Sequence, residues 1–192
     1  IVEGVSLMHL HVNRGKRSVV IDLRTEAGVE LFLDLVKVSD VVVEAMRPGG
    51  LARRGLSFER LCAANPRIVQ CTISGYGATG PYRDLASHGI AYDAWAGIFT
   101  PGLDEDGFVA MPDHVSIGIN AGPLYGALGI VAAILHARET GEGCEFEVAQ
   151  SDAAAAFDWY REESFRAYER PDTEVTGNAA DDYARRAPGV AG

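Results

Sequence analysis

Three short apolar runs, set apart by helix-length stretches, constrain this chain more than any other feature. Ser18–Leu23 (SVVIDL), Asp40–Glu44 (DVVVE) and Ile68–Ser74 (IVQCTIS) each read as strands. Between the first two, Leu31, Phe32, Leu35, Val36 and Val38 recur at nearly the helical period, which gives that stretch an apolar face. Thr25 is placed to cap this helix, with Glu26 in the first turn, where the positive end of the helix favours an acid. Ser57 opens a shorter helix that runs to about Ala64, and Asn65-Pro66 stops it. Strand, helix, strand in this order implies parallel strands joined by right-handed crossovers. The fold class is therefore α/β, a parallel sheet with flanking helices.

The last of these strands delivers a glycine-rich stretch, Gly75–Gly97 (GYGATGPYRDLASHGIAYDAWAG). Glycines after a strand let backbone N–H groups approach a ligand, because no Cβ intervenes. Gly75 and Gly77 are the candidate contacts. His88, at the start of an expected helix from Ser87 to Gly97, is a candidate proton-transfer group. The run also spells G-x-G-x-x-G, a dinucleotide signature. Pro81 argues against that reading, because it follows Gly80 where such a motif needs helix donors. Two basic turns, Asn13–Arg17 and Arg47–Arg54, adjoin strand ends and suit phosphate contacts.

The remainder is read in order. Met8–Val12 is an extended segment in which His9 and His11 share a face, too weak a pair for a metal site. Gly102–Gly107 is an acidic solvated loop whose spacing does not fit a calcium loop. Ala121–Arg138, apolar almost all round, is a buried helix held close to its neighbours by Gly122, Gly126 and Gly129. Cys144–Val148 alternates like a half-exposed strand, and Ser151 caps a last helix with a bulky face of Phe157, Trp159 and Tyr160. Residues 1–169 belong to the large α/β domain, and 170–192 form a linker or extended arm toward a further region.

Composition excludes some classes. A net charge of -10 is wrong for a general nucleic-acid binder. No membrane segment is expected from the apolar runs. Three widely spaced cysteines, Cys62, Cys71 and Cys144, lack metal-ligand spacing and fit reduced, buried thiols in a cytoplasmic protein. No metal is expected.

Several motifs in combination resemble one family. They are Asn13-Arg14-Gly15-Lys16-Arg17-Ser18 leading to Asp22-Leu23; Asp40–Glu44 followed by Arg47-Pro48-Gly49; Arg54-Gly55-Leu56; and Asn65-Pro66-Arg67. Ser74-Gly75-Tyr76-Gly77 with Gly80-Pro81-Tyr82, and Arg138–Gly143, complete the set. From about Asn13 to Asp158 the chain resembles the family III CoA-transferases (CaiB/BaiF-like), which include formyl-CoA transferase, carnitine CoA-transferase and the α-methylacyl-CoA racemases. The resemblance implies the Rossmann-like large α/β domain of an interlocked dimer, acting on acyl-CoA and a carboxylic acid, with coenzyme A as substrate and no metal.

It also implies roles for single residues. Asn13, Lys16 and Arg17 would line the CoA nucleotide, and Arg53 would sit near its phosphates. His88 matches the histidine with which the family's racemases move the proton α to the thioester. Transferases of the family use an aspartate at the start of the long helix. Its carboxylate attacks the acyl-CoA and forms a mixed anhydride, then a covalent CoA thioester. Counted back from the Thr140-Gly141 turn, that position is Ile119, after Gly118. Asp113 is the candidate substitute. The expectations are thus CoA transfer between carboxylic acids or movement of the α-proton of an acyl-CoA. The alternative is a catalytically degenerate acyl-CoA-binding homologue, or the inactive partner of an intact subunit in a mixed dimer.

Overall fold

A computed structural model describes residues 4–86, 88–98, 102–110 and 116–164. Its centre is a parallel sheet in the order β1 (Val41–Glu44), β2 (Val69–Ser74), β5 (Glu145–Ala149). Val41 pairs with Val69 and Glu44 with Thr72, while Thr72 pairs on its other side with Glu147. A two-stranded antiparallel hairpin, β3 (Gly102–Leu103) with β4 (Val109–Ala110), stands apart from it. Asp104 shapes this hairpin's acidic turn by accepting from the amides of Asp106 and Phe108, at 3.1 and 2.8 Å.

Two helices cover one face of the sheet. Helix α2 (Glu26–Val36) is capped as its sequence predicts, the Thr25 hydroxyl accepting from the Gly28 amide at 3.0 Å. Its buried face is Val29, Leu33 and Val36, which pack with Val42, Leu56, Leu61 and Ile68. Of the expected apolar face, Phe32 and Val36 turn to the core, whereas Leu31, Leu35 and Val38 turn to solvent, so the stripe is shifted around the helix. Helix α3 (Phe58–Ala64) ends at Asn65, whose side-chain amide donates to the carbonyls of Val36 and Ser39. That side chain satisfies acceptors which the end of α2 leaves open and ties the two helices together.

Helix α5 (Gly118–Thr140) lies on the other face. Glycine makes the close approach possible. A Cβ on Gly129 would meet the Phe146 ring at 2.6 Å, and Gly126 faces Cys71 and Ile73. By length and hydropathy α5 could cross a membrane, but its small-residue side rests on the sheet. The opposite side, Leu124, Leu128, Val131 and Leu135, is exposed, so the helix is covered on one side and not all round.

Three further elements differ from expectation. Ser18–Leu23 forms no strand: no described strand lies beside it, and Val19 and Val20 are 65% and 95% exposed. A strand is defined by its ladder, and apolar composition alone supplies none. Residues 8–12 belong to a helix, α1 (Leu7–Val12), in which His9 and His11 point to different sides. Helix α6 (Gln150–Phe157) leaves β5 directly with Ala149 at the cap position. Ser151 falls inside its first turn and donates its amide to the Gly75 carbonyl. Phe157 is exposed, as are Trp159 and Tyr160 in the short α7 (Trp159–Ser164). The boundary expected near 169 lies outside the described residues.

Two outcomes check this packing. A Cβ at Gly143 would lie 1.9 Å from the Ile68 carbonyl oxygen, where β5 begins. Gly143→Ala should therefore cost about 1–3 kcal/mol or more, read from the urea midpoint. Burial, with Glu44 nearby, pushes the Cys71 thiol up. Alkylation near pH 8 should label half-buried Cys144 first and Cys71 only on unfolding, as mass spectrometry of timed samples would show.

Candidate functional site

Because the three main strands are parallel and in register, they end on one edge, at Glu44, Ser74 and Ala149. Ligands of open α/β sheets gather at such an edge. Glu44 fixes the first turn there. One carboxylate oxygen accepts from the Thr72 hydroxyl at 2.9 Å and the other from the Met46 amide at 2.7 Å. The turn after β2 is tied down as well. The Ser74 hydroxyl accepts from the Gly77 amide at 3.0 Å, and Glu147 from the Ala78 amide at 2.6 Å. Gly77 and Gly80 have φ of 92° and 81°, a region that glycine occupies without strain. Among the described residues no helix follows Gly80 until α4 (Ile90–Trp95), as Pro81 predicts.

Among the hollows that the described residues form at this edge, two abut. The first, about 500 Å³, is lined by Leu23, Arg24, Met46, Arg47, Gly50, Arg53 and Arg54. Four arginines in one groove of an acidic protein form a local anion site. Arg24 is held by Asp22 at 2.8 Å, and that contact keeps the Asp22 carboxyl below the usual carboxylate range. Arg53 donates to the Pro48 carbonyl at 3.0 Å. The side chains of Arg47 and Arg54 have no hydrogen-bond partner among the described residues. The second hollow, about 260 Å³, is floored by Ile73, Ser74, Gly75 and Gln150 and walled by Met46, Arg47, Tyr76, Tyr92 and the segment Arg83–Ala86. Met46 and Arg47 line both, so the two abut at a single turn. Gly75 is required here for space, since a Cβ would meet the Tyr92 ring at 2.7 Å. Tyr76 stands edge-on to Tyr92 and Trp95, with centroids 5.7 and 5.2 Å away.

The expected site residues divide. Arg53 lines the arginine groove and Gly75 the second hollow. Gly77 sits in the turn with its amide already engaged. His88 is exposed, two residues before α4, and lines neither hollow. Asn13 and Lys16 bond to each other at 3.2 Å, and neither they nor Arg17 line the arginine groove. Asp113 lies outside the described residues.

Sequence reading missed Asp93. It is fully buried in α4, and its carboxylate accepts from the amides of Ile117 and Gly118 at 3.0 and 2.6 Å. It thereby caps α5 from another helix, a tertiary contact that no local motif announces. Ile119 stands on the first turn of α5, 41% exposed. Charge-assisted hydrogen bonds from a buried carboxylate contribute about 1.5–3 kcal/mol, so Asp93→Ala should lower stability by at least that much in urea titration. Asp93→Asn, which keeps one acceptor, should lose less.

A parallel α/β sheet with an arginine-lined groove at its strand ends has the charge and the placement to hold a phosphorylated ligand. Comparison with known sequences narrows this further. A profile of CoA-transferase family III matches residues 2–185, and the chain belongs to that family. It is 37% identical over 155 residues to succinate–glutarate CoA-transferase of Agrobacterium fabrum, covering 80% of this chain and 38% of that protein. It is 39% identical over 139 residues to the alpha subunit of succinyl-CoA–L-malate CoA-transferase of Chloroflexus aurantiacus, covering 72% and 32%. Among solved structures, a CaiB/BaiF family protein from Brucella suis superposes with a TM-score of 0.72 at 32% identity, covering 81% of this chain and 41% of that one. The chain thus spans under half the length of these relatives.

Proposed function

We propose that this chain carries the acyl-CoA-binding half of an enzyme that transfers CoA between carboxylic acids. The observation that carries the reading is the shared turn at Met46 and Arg47, which joins an arginine groove to a smaller hollow at the strand ends. CoA has the matching form, a polyanionic nucleotide joined by a flexible arm to a neutral thioester. In this reading Arg24, Arg47, Arg53 and Arg54 hold the phosphates. The arm crosses Met46–Pro48, and the thioester enters the hollow beside Tyr76 and Tyr92. The relatives named above are CoA-transferases, which favours CoA transfer over movement of an α-proton. The free thiols of Cys62, Cys71 and Cys144 fit a cytoplasmic setting.

A second reading rests on Ile119. An apolar residue stands where the family's nucleophile is expected, and the nearby carboxylate, Asp93, already accepts two amide hydrogen bonds. The chain would then belong to a subunit that binds acyl-CoA while an intact partner supplies the nucleophile. Relatives named as alpha and beta subunits, at 39% and 36% identity, fit such a mixed dimer.

The test uses the full-length protein with a panel of acyl-CoAs and free acids in deuterated water. Mass spectrometry follows CoA exchange and α-deuterium uptake together. The first reading expects exchange that Asp113→Ala abolishes. Exchange only after addition of a related subunit supports the second. Deuterium uptake lost in His88→Ala, without exchange, would overturn both in favour of proton transfer. For binding alone, the pair Arg47→Ala and Arg54→Ala should weaken CoA by roughly tenfold or more in calorimetry, with a shallower salt dependence.

A further inference from the structure

A further hollow, about 330 Å³, opens on the face of the sheet that α2 and α3 cover only in part. Central parallel strands are usually apolar on both faces, because helices pack on each. Strand β2 keeps that rule on one face, where Cys71 and Ile73 meet α5, and breaks it on the other. In one row of that other face Val42 belongs to the core beneath α2 and α3, but its neighbours across the sheet are Gln70 and Glu145. The next row holds Glu44, Thr72 and Glu147. Gln70, Thr72 and the three glutamates all line the hollow, together with the apolar side chains of Leu56 and Phe58.

Two properties define the guest. The first is an acceptor without a donor. Gln70 is only 9% exposed, and its Oε1 has no hydrogen-bond partner among the described residues. Buried side-chain oxygens are nearly always paired, so this one marks a place where a donor belongs. The second is uncompensated charge. Three glutamates line the hollow, and among the described residues no lysine, arginine or histidine does. None of the three is in an ion pair among those residues. Glu44 and Glu147 already accept from the Thr72 hydroxyl and two turn amides, so they contribute mainly charge. Glu145 is exposed and makes no hydrogen bond among the described residues, which leaves its carboxylate open to a guest. Among the described residues no three acidic, histidine or cysteine side chains gather closely enough to hold a metal ion, so the hollow suits a broader cation. A guanidinium carries five N–H donors in one plane. One edge can pair with a carboxylate while a remaining N–H reaches an acceptor on the next strand, about 4.8 Å away. Glu145 and Gln70 are such neighbours, register partners on β5 and β2. A short alkyl stem then lies along Leu56 and Phe58. The volume falls within the roughly 300–1,000 Å³ of small-molecule pockets.

We infer that this hollow is a binding site for a small alkylguanidinium cation, held by the Glu145 carboxylate and the Gln70 Oε1 oxygen. It shares no lining residue with the arginine groove and only Pro48 with the smaller hollow. The inference therefore stands apart from the CoA reading, and the two sites are of opposite charge. The guest also explains why a central strand carries glutamine and threonine where packing alone would favour apolar side chains.

The test is calorimetry on the full-length protein with two probes, n-butylguanidinium and n-butylammonium, which share the stem and the charge and differ in the head. The wild type should bind the guanidinium with a dissociation constant of about 1 mM or below, about threefold or more tighter than the ammonium. Added salt should weaken the binding. Glu145→Gln, a change at an exposed side chain, should weaken it about threefold. Gln70→Met, which removes the buried acceptor at similar volume, should weaken it about tenfold. The urea midpoint reports whether each variant folds, and if Gln70→Met does not, Glu145→Gln decides alone. Equal affinity for the two probes overturns the guanidinium assignment. Binding that survives the substitutions unchanged overturns its placement in this hollow. Failure of the wild type to bind either probe at about 10 mM overturns the inference, whether the hollow stays empty or another part of the full-length chain fills it.

Discussion

Parallel register is the constraint on which the rest depends. Because Glu44 pairs with Thr72 and Thr72 with Glu147, three chain segments finish at one edge and hand over to two turns and the start of α6. An antiparallel arrangement would send neighbouring ends to opposite edges and scatter Met46, Gly75 and Gln150. The sheet's side chains then stabilise what the backbone has aligned. Glu44 spans from Thr72 to the Met46 amide, and Glu147 reaches the Ala78 amide, so acids on two strands hold the turns that form the hollows. These carboxylates are spent on structure, which leaves the site's free charge to the arginines.

The second requirement is the placement of α5. Glycines at 126 and 129 let it approach Cys71, Ile73 and Phe146, and Asp93 caps its start through two amides. One carboxylate thus locks α4 to α5 beside the second hollow, next to Tyr92. The same contact explains why Asp93 is a poor choice of nucleophile. Its oxygens already hold two donors, and releasing them would uncap a helix of 23 residues.

What could be read from sequence follows a physical line. Strands that find partners, at 41–44, 69–74 and 145–149, were legible because apolar runs and alternation report burial directly. Thr25 was legible because a cap is local. Ser18–Leu23 failed because apolar composition cannot show whether a ladder partner exists, and the α2 face was placed only in part, with Phe32 and Val36 inward but Leu31 and Leu35 outward, because two apolar stripes competed on one helix. Arg53 and Gly75, picked out through motifs at strand ends, line the two hollows. Asp93 was not legible, because its capping contact joins distant segments. The basic turn Asn13–Arg17 satisfied the charge pattern; Asn13 bonds to His9 and Lys16 near α1, and Asn13, Lys16 and Arg17 do not line the arginine groove.

Hydrogen–deuterium exchange on the full-length protein, with and without CoA, tests the central claim most directly. If the joined hollows are the CoA site, CoA should slow exchange at the amides of Met46–Arg54 and Ser74–Tyr76 together and leave Leu7–Arg17 unchanged. Protection confined to Leu7–Arg17, or none at Met46–Arg54 at saturating CoA, would contradict it.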